Sequence, residues 1–336
     1  MKKLLSIALC GVIASALCLA ACGDGVKAEE NSVTLVGIQP TQIGVTDGID
    51  YYVAAEPAAS LRVKTIEHLD YAGDLQELYG GDVGYPQAVI VAKKDLIQNY
   101  SVVGEFLKAV EKSREWLLSD SVSIETIVNA VQSHLSDGLA PTFNATNLTK
   151  SVISNCGISF EYAADGKSGI LNYMQVVNEV GESSFGTPQD AFFKTDKTYG
   201  SKAFEGTVEI YMPDGAPALG LANLLSGEET FNGNYHVVNA ETIQTFVNGA
   251  NPAADICVLP VTAAVKLLGS GEKYSLLGTL THGNLYLLSN GGERITRENI
   301  KALAGKKVGV ISIAQVPGLT FKAILKKNGI NFNEAK

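Results

Sequence analysis

The chain is poor in the side chains that most chemistry needs. Its 336 residues contain four histidines, five cysteines, three methionines and one tryptophan. His68, His134, His236 and His282 are dispersed, with none of the close spacing that metal ligands need, so neither metal nor cofactor is expected. Beyond Cys22 only Cys156 and Cys257 remain, and one pair is not a disulfide framework. Cys257 lies in an apolar strand pattern, the usual setting of a free buried thiol. Positive charge is also short: the formal net charge of −9 argues against nucleic acid, whose binders carry basic patches. No Ser-His-Asp order, Cys-His pairing, Walker-type phosphate loop or paired-histidine zinc helix stands out. Without a positioned nucleophile and base, catalysis has no support, and the protein is not expected to be an enzyme. What is plentiful is apolar surface. A hydrophobic content of 46% supplies a core for one large or two modest domains.

The first residues stand apart. Lys2 and Lys3 precede an uncharged, mostly apolar run from Leu4 to Ala21, closed by Leu19-Ala20-Ala21-Cys22 and followed by Gly23-Asp24-Gly25. The run is long enough to pass as a short membrane-spanning helix. Small residues before Cys22 and polar ones after it instead mark a cleaved leader, residues 1–21. The segment resembles a bacterial lipoprotein signal. That resemblance implies that Cys22 is lipidated, that acyl chains hold an exported body to the membrane, and that residues 22–30 act as a tether.

The rest of the chain contains a repeated β-loop-helix-β unit, one copy of which is split between the two ends. The intact copy runs from Val208-Glu209-Ile210-Tyr211 through Pro217 to Leu225 and on to Asp255-Ile256-Cys257-Val258-Leu259-Pro260. The other starts at Lys307-Val308-Gly309-Val310-Ile311, passes Pro317 to Leu325, and finds its missing half in Val33 to Ile38 and Asp50 to Pro57. Pro217 lies 38 positions before Asp255; counting from Pro317 to Lys336 and onward from Asn31 to Asp50 gives 39. Proline at a helix start is common, because its missing N–H would be unpaired there anyway. The shared long spacing is not common. Alternating strands and helices imply mostly parallel sheets. The polar stretch 194–205 reads as a linker between two older termini. The expected division is residues 31–88 plus 289–336 for one lobe and 89–193 plus 206–288 for the other.

At Tyr211 to Leu219, Asp255 to Pro260, Thr281 to Leu285, Gly305 to Val310, Gly48 to Val53, Glu56 to Ser60 and Gln87 to Asp95, the chain resembles a known family. These are the substrate-binding lipoproteins of ABC transporters, of the nitrate/sulfonate/taurine and thiamine-pyrimidine type. The stretches span nearly all of the chain beyond the leader. The resemblance implies a two-lobe α/β clamshell of the periplasmic-binding-protein type II class, each lobe a mostly parallel sheet flanked by helices. It departs from the family in order: the block from about Thr207 to Lys336 would precede the block from about Asn31 to Lys194. Circular permutation, gene rearrangement and an assembly error all produce that order.

In open α/β sheets ligands bind beyond the carboxyl ends of the strands. That rule selects Asp214, Gly215, Ala216, Pro260, Thr262, Thr281 and His282 in one lobe, and Gln315, Val316, Gly318, Gln39 and Glu56 in the other. Free N–H groups at the helix starts near Pro217 and Gly318 suit an anionic group. The loops at 214–216 and 315–318, equivalent in the repeat, are expected to face each other across the ligand. Asp214 and Glu56 would pair with an amine or simply favour a helix start. The expectation is an exported, lipid-anchored, monomeric receptor that closes on a small organic or anionic molecule and delivers it to an ABC permease and its ATPase. The rivals are an enzyme on the same fold, a pyrimidine- or menaquinone-pathway relative using His282, and an extracellular sensor domain.

Overall fold

The structure is a computed structural model that describes residues 31–81, 83–181 and 184–335. The leader, the tether and Cys22 lie outside the described residues. The strands are β1 (Ser32–Ile38), β2 (Tyr51–Ala55), β3 (Leu69–Asp74), β4 (Pro86–Lys93), β5 (Ile158–Tyr162) and β6 (Val208–Pro213). They continue with β7 (Gly233–Val238), β8 (Ile256–Pro260), β9 (Tyr274–His282), β10 (Leu285–Asn290), β11 (Lys307–Ile311) and β12 (Asn331–Glu334). The helices are α1 (Ala58–Thr65), α2 (Leu75–Tyr79), α3 (Lys94–Asn99), α4 (Val102–Leu118), α5 (Ile124–Gln132) and α6 (Lys150–Asn155). After them come α7 (Ala163–Val180), α8 (Ala216–Leu219), α9 (Ala222–Leu225), α10 (Val261–Leu268) and α11 (Val316–Lys327).

Two six-stranded sheets form, in the orders β12-β1-β11-β2-β10-β3 and β5-β9-β4-β8-β6-β7. The run β1-β11-β2-β10-β3 repeats β7-β6-β8-β4-β9 strand for strand. Its directions agree as well: the first three strands of each run are parallel, and the last two pairings are antiparallel. The two ends of the chain therefore share one sheet, with Leu35 opposite Val308, while β6 lies in the other. A pair of aspartates marks the same relation. Asp50 donates its N–H to the Lys307 carbonyl at 2.9 Å and accepts the Lys307 N–H at 2.8 Å. Asp255 repeats this on Glu209, at 2.8 and 3.0 Å.

The chain changes sheet twice, between β3 and β4 and between β9 and β10. Both crossings fall three or four residues before the expected lobe boundaries at 88/89 and 288/289. β4 begins at Pro86 within the second sheet, and β10, from Leu285, pairs with β2 and β3 in the first. An apolar run such as Leu285-Tyr286-Leu287-Leu288 does not say which sheet it joins. The crossing runs through Gly283 and Asn284, which both have positive φ, at 71° and 124°. The expected linker 194–205 has no regular helix, but it is not a free tether. It packs on α3 and α4 through a Lys202 carbonyl accepting from Ser101 N–H at 3.0 Å and through edge-on contact of Phe204 with Tyr100.

One face of the second sheet is covered by α3 to α6, α8 and α9, with Val103, Phe106, Leu107, Val110 and Leu117 of α4 all buried, as their helical spacing predicts. The other face carries α7 and α10. It merges with the α2 and α11 face of the first sheet into one apolar core. Tyr85 and Tyr173 stack at 6.0 Å within it, and Tyr173 hydroxyl meets Thr320 Oγ1 of α11 at 2.8 Å. α1 covers the remaining face.

Candidate functional site

The carboxyl ends of β6, β8 and β9 in one sheet meet those of β1, β2 and β11 in the other at the crossings. Helix starts follow these ends on both faces. α10 and α11 lie on the shared core, whereas α8 lies on the opposite face with α4 and α5. Although α8 and α11 are equivalent in the repeat, they therefore take different faces relative to the shared core. The loops at 214–216 and 315–318 are thus not opposed, contrary to expectation. Gln315 instead shares a cavity with Thr262 at the start of α10.

That cavity has a volume of about 360 Å³ and is walled from both lobes. Gln315, Leu319 and Lys322 come from one face of α11, at the i, i+4, i+7 spacing of a helix. Thr262, Ala263 and Lys266 come from α10 at i, i+1 and i+4, with Gln244, Ala314, Gly181 and Phe185 completing the wall. The described residues that line it include two lysines and no carboxylate, in a chain of net charge −9. The ammonium of Lys322, whose side chain is 3% exposed, pairs with Glu334 at 2.5 Å. The start of α11 adds the positive end of a three-turn helix. Lys266, Lys322 and Gln244 were not singled out from the sequence, where a lysine inside a helix looks like any solvated charge.

The remaining expected residues have other duties. His282, 4% exposed, uses both ring nitrogens: Nδ1 lies 3.0 Å from Ser159 Oγ and Nε2 lies 3.2 Å from Glu161 Oε2. Its burial pushes the imidazole pKa down, against the upward pull of Glu161. It lines a second cavity of about 490 Å³ at the crossings, with Asp74, Gln76, Arg114, Asn155 and Tyr286. Glu56 is also buried. Its carboxylate accepts from Tyr71 hydroxyl at 2.7 Å, Ser60 Oγ at 2.8 Å, Ser60 N–H at 3.1 Å and Asn155 Nδ2 at 3.1 Å. It caps α1 and joins the lobes rather than waiting for an amine. Asp214 is held by Thr142 N–H at 2.6 Å and Gly215 N–H at 2.8 Å. Thr281 Oγ1 accepts from Ala88 N–H at 3.2 Å, inside the sheet. Gln39 is exposed and closes a reciprocal cap with Gln42, its N–H donating to Gln42 Oε1 at 2.7 Å.

The two glycines expected to admit a ligand differ from each other. Gly215 has φ +103° and open space around it, so backbone conformation demands a glycine there. At Gly318 a β-carbon would sit 1.9 Å from the Ile313 carbonyl oxygen, so that residue serves the packing of α11 on its own preceding turn. Val316 and Pro260 are half-buried, and Ala216 is buried on the α8 face.

No protein-family model matches the chain, and no curated protein matches it. Among solved structures it is similar to the oligopeptide-binding protein AppA from Bacillus subtilis, in complex with a nonapeptide. The identity is 11%, the match covers 79% of this chain and 57% of that one, and the TM-score is 0.25. The chain thus spans little more than half the length of that protein, and a likeness of this degree determines neither site nor ligand.

Proposed function

We propose that this protein is an extracytoplasmic solute receptor of ABC-importer type, exported, anchored through lipidated Cys22, and monomeric. It holds a small organic or anionic ligand between its lobes and delivers it to a permease and its ATPase. The supporting observation is the inter-lobe cavity, where Gln315 and Lys322 of one lobe meet Thr262 and Lys266 of the other with no described carboxylate in the wall. A ligand touching both lobes favours the arrangement in which they are together, which is how a receptor couples binding to shape. The sequence resemblance supports the transport role, and the matching strand orders support a permuted segment order. An enzyme would need a free base. His282, the one that tempted, spends both nitrogens on Ser159 and Glu161, which favours binding over catalysis.

A thermal-shift screen of small organic acids, amines and heterocycles against the mature protein tests the reading. At least one compound should raise the melting temperature. Gln315→Ala and Thr262→Val should each weaken that compound about tenfold, or ~1.4 kcal/mol, while leaving the unliganded melting temperature within a few degrees. A screen without a stabilising compound, or one whose hit binds both variants as tightly as the parent, would refute the site.

A further inference from the structure

Lys322 is an unusual residue for its place. It sits in the middle of α11, in a run where Leu319, Phe321 and Ile324 are also buried, and the whole residue is 2% exposed. A buried ammonium is costly unless paired, so such a lysine needs a reason. Folding of the helix does not supply one. The other buried residues of α11, Gly318 to Phe321 and Ala323 to Leu325, carry no charge. Lys322 is the one charge in that buried run.

The counter-ion is placed with equal economy. Glu334 is the last residue of β12, an edge strand, and its side chain is 39% exposed against 3% for Lys322. Its backbone is held apart from its carboxylate: Leu35 lies opposite Glu334 in the ladder, and Ala335 N–H donates to the Leu35 carbonyl at 2.8 Å. Only side-chain rotation is needed to release the pair, and the released carboxylate reaches water. The ammonium has no such escape, because it is fixed on a buried helix face beside the cavity. The other lysine of the cavity wall, Lys266, is exposed.

We propose that Lys322 is the charge that selects the ligand and that Glu334 is its built-in competitor. An anionic head group enters by taking the place of the Glu334 carboxylate on Lys322, so binding is an exchange of one anion for another. This inference rests on the reading of the inter-lobe cavity as the ligand site, and it narrows that ligand to one with an accessible negative group. It also assigns a specificity filter: neutral molecules and cations cannot displace Glu334 and leave the buried ammonium unpaired if they try. Removing the competitor should tighten anion binding, whereas removing the cation should end it.

The experiment uses the mature protein and the variants Glu334→Gln and Lys322→Met, titrated with acetate, methanesulfonate and inorganic phosphate while the melting temperature is followed. Methionine keeps an unbranched apolar stem of similar length without the charge, so Lys322→Met should fold, which circular dichroism checks. At least one anion should stabilise the parent, reach half effect at a several-fold lower concentration in Glu334→Gln, and lose its effect in Lys322→Met. If Lys322→Met does not fold, the Glu334→Gln comparison decides alone. An anion that stabilises the parent and Glu334→Gln at the same concentration would leave the cavity as a site and overturn the exchange. If no anion stabilises parent or Glu334→Gln, the anionic assignment falls, while a neutral hit from the organic screen would keep the receptor reading.

Discussion

His282 shows how a residue of chemical promise is absorbed by structure. It ends β9 immediately before the turn that carries the chain between lobes, and its two hydrogen bonds tie that crossing to Ser159 and Glu161 of β5. The neutral imidazole fits both bonds, donating from Nε2 to Glu161 and accepting at Nδ1 from Ser159. Burial holds its pKa below the ordinary 6.5, with the Glu161 charge and the hydrogen bonds pulling the other way. A base whose folded pKa is depressed binds its proton more readily in the unfolded chain. Its contribution is therefore complete above about pH 6.5 and is lost as the pH falls from there through the folded value. Urea midpoints should drop on acidification below that point, and His282→Gln should flatten this part of the curve. Identical slopes in parent and variant would show that the imidazole does not titrate with folding.

Among the elements, the two aspartate clamps carry the clearest lesson. Asp50 and Asp255 each precede a parallel strand and bind both polar backbone groups of the strand beside it, Lys307 in one lobe and Glu209 in the other. A carboxylate in this position sets the register of β2 on β11, and of β8 on β6, where no tight hairpin can do so. Charged hydrogen bonds contribute about 1.5–3 kcal/mol. Asp50→Ala should cost an amount in that range. Asp255→Ala should cost more, since it also strands Lys93, whose ammonium lies 2.9 Å from Asp255 and is 31% exposed. Urea unfolding of the two variants measures the order; a smaller loss at Asp255 than at Asp50 would contradict it. The short helices were less legible. Pro217 to Leu225 reads as one helix, yet it breaks at Gly220-Leu221 into α8 and α9. The stretch from Gln39 toward Gly48 yields only a short 3-10 turn, Pro40–Gln42. A helix this short gains little from its own bonds, because nucleation is the costly step, and packing decides its limits.

For the molecule as a whole, the shared core between the sheets matters most. α7 belongs to the second sheet but packs on α11 of the first, through Tyr173 and Thr320 inside and an ion pair of Lys326 with Glu179 at 2.9 Å outside. The outer pair is close to half exposed on both sides, so solvent screens it and it adds little. The buried aromatics contribute more, about 1.5–3 kcal/mol for each large side chain removed from water. Opening of the lobes must therefore stay small on this face or separate those contacts. The two sheets should unfold together. Calorimetry of the mature protein should give one transition, with the calorimetric and van't Hoff enthalpies equal. Two resolved transitions would mean that each lobe holds its own core.

The strands are legible in the sequence because their signal is local. Val308 to Ile311, Val33 to Ile38 and Ile256 to Leu259 are apolar runs of strand length bounded by turn residues, and buried parallel strands look like that wherever they occur. The repeat was legible too, since spacing between matching motifs survives exchange of the segments. From these came two α/β lobes and the sharing of one sheet by the two ends of the chain. The site was not legible in the same way. Thr262 and Gln315 lie beyond strand ends, but their meeting in one cavity depends on which face each helix takes. That choice belongs to the packing of α10 and α11 on a common core, and nothing in either helix alone records it. Lys322 was invisible for the same reason. Its burial, and its meeting with Glu334 across the edge of a sheet, exist only once β12 has paired with β1.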